Sequence, residues 1–166
     1  PSMERIEPFL ENGVENLWTY YCCRCAIALP SACNRVAGTQ FYKFNIEGFL
    51  HWGYNFYFNQ YSKKAINPFM VTDGEYFVPS GDAFTVYPAP GGKAYESIRL
   101  VVFHEGLQDL RAFKLCEKLY GREFVMELID ENLEHELTFT EFPADEDYIL
   151  GLRKKINRAI KEKICK

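Results

Sequence analysis

Paired carboxylates are the first residues to question. Two Asp or Glu side chains flanking one bond can serve as acid and base, as in glycoside cleavage. Asp130-Glu131 and Asp145-Glu146-Asp147 are such pairs. Both fall in helical stretches of the C-terminal part, where acidic residues cap a helix start or face solvent. Glu105 and Asp109 lie one helical turn apart, near Arg99 and Arg111, and predict a structural ion-pair network. Glu47 precedes the most apolar stretch of the chain, and Asp82 follows it within a turn-rich segment, directly after Gly81. Asp82 is therefore a candidate ligand contact, with turn capping as the alternative. Of the three histidines, His51 lies inside the apolar stretch, His104 on a helix and His135 in a loop. None stands beside a nucleophile pattern, and no GxSxG, HExxH, P-loop or GxGxxG spacing occurs. No catalytic residue and no metal ligand is assigned.

The aromatic residues are the stronger signal. Fourteen Phe and eleven Tyr bring aromatic content to 16%. Gly48-Phe49-Leu50-His51-Trp52-Gly53-Tyr54-Asn55-Phe56-Tyr57-Phe58 reads as a buried strand, too apolar for a surface loop and too glycine-rich for a helix. Period two puts Trp52 and Tyr54 on one face with Leu50 below them, and Trp18 and Tyr20 on one face of an earlier strand. Core packing accounts for Trp18 and Leu50. Near the strand ends, Trp52 suits a sugar-stacking platform and Tyr54 a hydrogen-bonding wall, with Asn55 and Tyr20 beside them.

The elements that must position these residues follow in order. A short helix over 3–12 stops at Gly13. Leu17 to Cys23 reads as a strand. Pro30-Ser31 opens a helix carrying Cys33, Val36, Ala37, Phe41 and Phe44, closed at Asn45. The central strand comes next, so the unit is strand, helix, strand, with two parallel strands joined by a crossover and buried on both faces. Residues 59–96 are turn-rich, with Tyr76-Phe77-Val78 and Ala83 to Tyr87 as a candidate hairpin. A connection of this length in a compact domain is usually functional. Ser97 caps a long helix with Leu100, Phe103, Leu107 and Leu110 on one stripe, continued by Leu115 and Leu119 and ended by Gly121. A short helix follows near Val125, Leu128, Ile129 and Leu133. The last helix, opened by Pro143 and Asp145, buries Ile149, Leu152, Ile156 and Ile160. Two parallel strands do not make a stable open sheet alone, and a full barrel needs roughly 250 residues. The expected class is α/β, the C-terminal portion of a (β/α)8 barrel over 1–120 with a helical tail over 121–166.

Composition narrows the function. A net charge of −4 without a basic run argues against nucleic acid and anionic membranes. No apolar run is long enough to cross a bilayer, and no secretory h-region opens the chain. Six cysteines include Cys22-Cys23-Arg24-Cys25 and Cys33, but no CxxC pair. Adjacent cysteines on a strand point to opposite faces. Reduced, mostly buried thiols are expected rather than zinc, with a Cys25–Cys33 contact as the open alternative. They favour a reducing, cytoplasmic compartment. No cofactor is expected.

Gly48 to Asn55 resembles the final barrel strand of the glycoside hydrolase family 123 catalytic domain. The resemblance continues through Leu17-Trp18-Thr19-Tyr20-Tyr21, Pro79-Ser80-Gly81-Asp82, Val86-Tyr87-Pro88, Ser97-Ile98-Arg99-Leu100 and Glu105 to Leu110, spanning roughly residues 14–120. It implies a (β/α)8 barrel that hydrolyses β-linked N-acetylgalactosamine by substrate assistance. In such a reaction the acetamido oxygen attacks the anomeric carbon, an Asp orients it, and a neighbouring Glu is the acid/base. That Asp-Glu pair belongs to an earlier strand and matches no position here. The resemblance carries over Trp52 and Tyr54 as floor and wall of a sugar subsite and Asp82 as a loop contact. It implies a carbohydrate ligand and, as a protein partner, the rest of the barrel or a second copy. It also implies a longer, more polar loop between Cys25 and Pro30 than the Ala26-Ile27-Ala28-Leu29 found here. Taken alone, the chain is expected to bind rather than turn over, and a non-catalytic carbohydrate-binding or scaffolding role is the alternative.

Overall fold

A computed structural model describes residues 3–22 and 25–165. Helix α1 (Met3–Glu11) closes at Gly13, whose φ of 62° suits glycine. Strands β1 (Trp18–Tyr21) and β2 (Gly48–His51) pair in parallel, with Trp18 opposite Gly48 and Tyr20 opposite Leu50. Between them lie two short helices, α2 (Ala32–Arg35) and α3 (Ala37–Lys43), which meet at Val36 in place of the single helix expected. Cys23 and Arg24, part of the expected first strand and of the cysteine cluster, lie outside the described residues.

The central strand is far shorter than Gly48–Phe58. After His51 the chain turns so that Gly53 lies against the backbone of Asp82 and Ala83, where a Cβ would collide. Beyond the turn, Phe56 N–H donates to the Ala83 carbonyl (3.0 Å) and Thr85 N–H to the Tyr54 carbonyl (2.9 Å). The segment thus leaves β2 to pair with 83–86, and Trp52 and Tyr54 do not share a strand face. Ala83 to Tyr87 does not pair with Tyr76-Phe77-Val78. Instead β3 (Val86–Pro88) runs antiparallel to β4 (Ala94–Glu96).

The sheet is buried on one face only. Phe49 packs on Phe41 (ring centroids 5.4 Å) and Phe103 (5.1 Å), and Thr19 is buried beside it. The opposite face is open: Trp18 is 69%, Tyr20 49% and Leu50 56% exposed. Core packing for Trp18 and Leu50 is therefore corrected. The Trp18 ring covers Gly48, where no side chain fits.

Helix α4 (Ile98–Tyr120) starts at Ser97, whose hydroxyl accepts the Leu100 N–H at 3.3 Å. Its most buried residues are Arg99, Gly106, Asp109, Ala112, Phe113 and Cys116; Leu115 is exposed, against expectation. Leu100, Phe103, Leu107 and Leu110 are half-buried along its length. Glycine takes the buried position at 106 because α3 crosses backbone to backbone there: a Cβ on Gly38 would overlap the Gly106 carbonyl. Asp109 does not join Arg99 or Arg111. It accepts from Arg35 Nε (2.7 Å) and from Arg153 Nη1 (2.7 Å), and Arg153 belongs to α6 (Glu146–Ile164). Asp145 caps α6 by accepting the Tyr148 N–H at 2.8 Å, as its position predicts. Helix α5 (Arg122–Asp130) and α6 bury Val125, Ile129, Leu152 and Ile156 against Phe113 and Cys116. Leu137 and Phe139, between them in sequence, join the core formed by Val36, Phe41, Phe44 and Ile46. No helix among the described residues is long and apolar enough to cross a membrane.

Candidate carbohydrate site

The end of β2 and the segment around Asp82 form one hydrogen-bonded unit. Asp82 is fully buried, at 0% exposure. Its Oδ2 accepts the Trp52 indole N–H at 3.0 Å, and its Oδ1 accepts the Cys25 backbone N–H at 3.2 Å. Its carbonyl oxygen lies 2.9 Å from His51 Nε2, which must donate, because a carbonyl only accepts. Three pieces of chain converge on this residue: the end of β2, the turn after it, and the loop after β1. A second hydrogen bond, from Ile27 N–H to the Ser80 carbonyl (2.8 Å), brings the short Ala26–Leu29 link onto the same segment.

Two residues not singled out as part of the site hold this unit together. Arg99, buried in the first turn of α4, donates from Nη2 to the carbonyls of Phe84 (2.7 Å) and Gly81 (3.4 Å). Gly53 allows the close approach of Trp52 to Asp82. A glycine directly after a tryptophan, and a Gly-Asp step downstream, were the only local signals of that contact.

Trp52 is half-buried. Phe56 (5.5 Å) and Phe77 (5.7 Å) meet its ring at tilted and edge-on angles. Tyr54, 54% exposed, and Asn55, also exposed, follow it. Asn55 forms an isolated bridge with Phe84. Tyr57 donates its hydroxyl to the Val86 carbonyl at 2.9 Å, and burial raises its pKa, with Tyr54 and Tyr87 adding to the rise. The phenol therefore stays a neutral donor. Tyr20 lies on the open face of the sheet beside Leu50. The structure thus joins Trp52 to Asp82 directly, sets Tyr54 and Asn55 on the adjoining turn, and leaves Tyr20 on the neighbouring strand. Chemically the surface offers apolar ring area and neutral hydrogen-bonding groups.

The carboxylate pairs play other parts. Asp130 accepts from the buried side chain of Lys43 (2.9 Å), and Glu131 accepts from Lys155 (2.7 Å) at the surface. An open groove of about 790 Å³ between α5 and α6 is lined by acidic residues such as Glu131, Glu134 and Asp147, and by none of the sequence-predicted site residues. Among the described residues no three His, Cys, Asp or Glu side chains converge as a metal site.

No curated protein compared with the chain matches it. Comparison with family models matches residues 2–116 to the glycoside hydrolase 123 catalytic domain, a span that contains the two parallel strands, Trp52, Asp82 and most of α4. That span is well over half of the chain, which therefore belongs to the glycoside hydrolase 123 catalytic-domain family.

Proposed function

We propose that this chain supplies the aromatic sugar-recognition part of a glycoside hydrolase acting on β-linked N-acetylgalactosamine or a related N-acetylhexosamine. Family membership supports a glycoside hydrolase-related function and a carbohydrate substrate. The observation that carries the finer reading is the fixed indole of Trp52, next to exposed Tyr54 and Asn55, beyond the C-terminal end of a parallel strand. Barrel enzymes place their ligands at that end. An apolar ring suits the hydrogen-bearing face of a sugar, and Tyr and Asn suit its hydroxyl and acetamido groups.

The acid/base pair of the reaction belongs to another segment. The carboxylates of this chain support that view: Asp82 is buried under Trp52, Asp109 is held by two arginines, Asp130 and Glu131 bind Lys43 and Lys155, and Asp145 caps α6. The open face of β1 and β2 supports placement in a larger barrel, in which Trp18, Tyr20 and Leu50 face inward and residues 121–166 form a helical buttress. The test is an aryl β-N-acetylgalactosaminide offered to the purified 166-residue chain. No turnover is expected, and hydrolysis would overturn the assignment of the pair to another segment. Binding of methyl β-N-acetylgalactosaminide, followed by ligand-observed NMR, is expected to weaken about tenfold in Trp52→Ala. Unchanged binding would remove Trp52 from the subsite.

A further inference from the structure

We infer that Asp82 is a positioning residue: its buried carboxylate sets the orientation of the Trp52 ring and locks it to the loop after β1. The inference rests on the reading of Trp52 as the sugar platform. A fully buried carboxylate is costly unless its oxygens are satisfied. Here one oxygen takes the indole N–H and the other takes the Cys25 N–H. Reaching a sugar directly would mean leaving donors that a buried carboxylate cannot easily give up, so Asp82 acts through Trp52. The geometry around it serves the same end. Gly53 clears space for the Asp82 carbonyl, His51 Nε2 donates to that carbonyl, and Arg99 pins the flanking carbonyls of Gly81 and Phe84. Phe56 and Phe77 pack on the indole ring, and the bond to Asp82 adds a directional contact that selects one orientation of it.

The chemistry of the carboxylate makes the inference specific. Two N–H donors arrive at two different oxygens, and only an acceptor-only group satisfies both. An asparagine offers one oxygen and one NH2, so Asp82→Asn must abandon either Trp52 Nε1 or Cys25 N. If the amide keeps Cys25, the indole is released. If it keeps the indole, the loop after β1 is released and the rim moves away from the ring.

The test uses the chain with Trp18→Phe, which leaves Trp52 as the one tryptophan of the sequence. In Asp82→Asn the Trp52 emission is expected to shift to the red and become more quenchable by acrylamide, while urea unfolding remains cooperative. Unchanged emission and quenching, together with unchanged hydrogen exchange at the Cys25 amide, overturn the proposal. Should Asp82→Asn fail to fold, the Trp18→Phe parent decides by itself: its indole N–H is expected to exchange slowly with solvent, and exchange at the rate of a free indole overturns the proposal. Titration with methyl β-N-acetylgalactosaminide then separates the two readings. Asp82→Asn is expected to bind about tenfold more weakly, the order of one lost charge-assisted hydrogen bond. Weaker binding in Trp52→Ala but unchanged binding in Asp82→Asn overturns the positioning role. Unchanged binding in Trp52→Ala overturns the sugar reading, while the emission measurement still reports whether Asp82 orients the ring.

Discussion

Gly53 shows how much depends on one missing methyl group. Its φ does not lie in the left-handed region, so the demand for glycine comes from contact with the Asp82–Ala83 backbone. Gly53→Ala is expected to push that backbone away and cost about 1–3 kcal/mol, the range for forcing an atom into a packed site. A urea midpoint equal to the parent's would refute this. At this scale the sequence was legible in type and opaque in partnership. Trp52 is conspicuous as an aromatic at a strand end. Asp82 stands out as an acid in a turn. The glycines beside Trp52 and Asp82 mark tight turns, but they do not announce a bond between residues 30 positions apart. Side-chain hydrogen bonds over such distances are settled by how the chain turns, and the turn itself depends on Gly53.

Asp109 is the corresponding hinge among the elements. It sits on α4 and gathers Arg35 of α2 and Arg153 of α6 around a carboxylate with 4% exposure. The pairing raises the pKa of Arg35, chiefly through its hydrogen bond to Asp109. Removing the shared partner leaves two cations facing one another, so Asp109→Ala is expected to destabilise by about 3–5 kcal/mol in urea unfolding. Arg153→Ala is expected to cost less, because Arg35 still satisfies the carboxylate. Equal losses for the two variants would refute the shared-anchor account. The helical stripes were readable from spacing where they face the core alone, as with Ile149, Leu152 and Ile156. The α4 stripe was misread in part. Its deepest positions meet another backbone, where glycine, alanine and an ion pair fit better than leucine.

The whole molecule keeps one open side. Trp18, Tyr20 and Leu50 form an apolar face on a two-stranded parallel sheet, a form that is rarely stable without more strands or covering layers. The purified chain is therefore expected to self-associate in sedimentation velocity, and Trp18→Ser with Leu50→Ser to shift it toward monomer. A monodisperse parent monomer would contradict this. Stability should also fall at high pH. Burial raises the phenol pKa of Tyr42, Tyr57 and Tyr148 in the folded chain, while the unfolded chain ionises its tyrosines near pH ~10. Their contribution is complete below that pH and is lost as pH rises above it, because the unfolded state then releases protons that the folded state retains. A urea midpoint that is flat from pH 9 to pH 11 would refute it.

By itself the sequence determined the helical crossover between its first two strands and their parallel pairing, the three helices after residue 97, the caps at Ser97 and Asp145, and the family to which residues 2–116 belong. These are local properties: hydrophobic period, turn residues and capping side chains act within a few positions of one another. Tertiary structure alone decided that the central strand ends at His51, that only one face of the sheet is covered, and that Asp82 lies beneath Trp52. Each of these depends on which distant segment arrives to take a hydrogen bond or fill a space. The physical cause is that backbone donors and buried charges must be satisfied somewhere, and the sequence shows the need without showing which residue meets it.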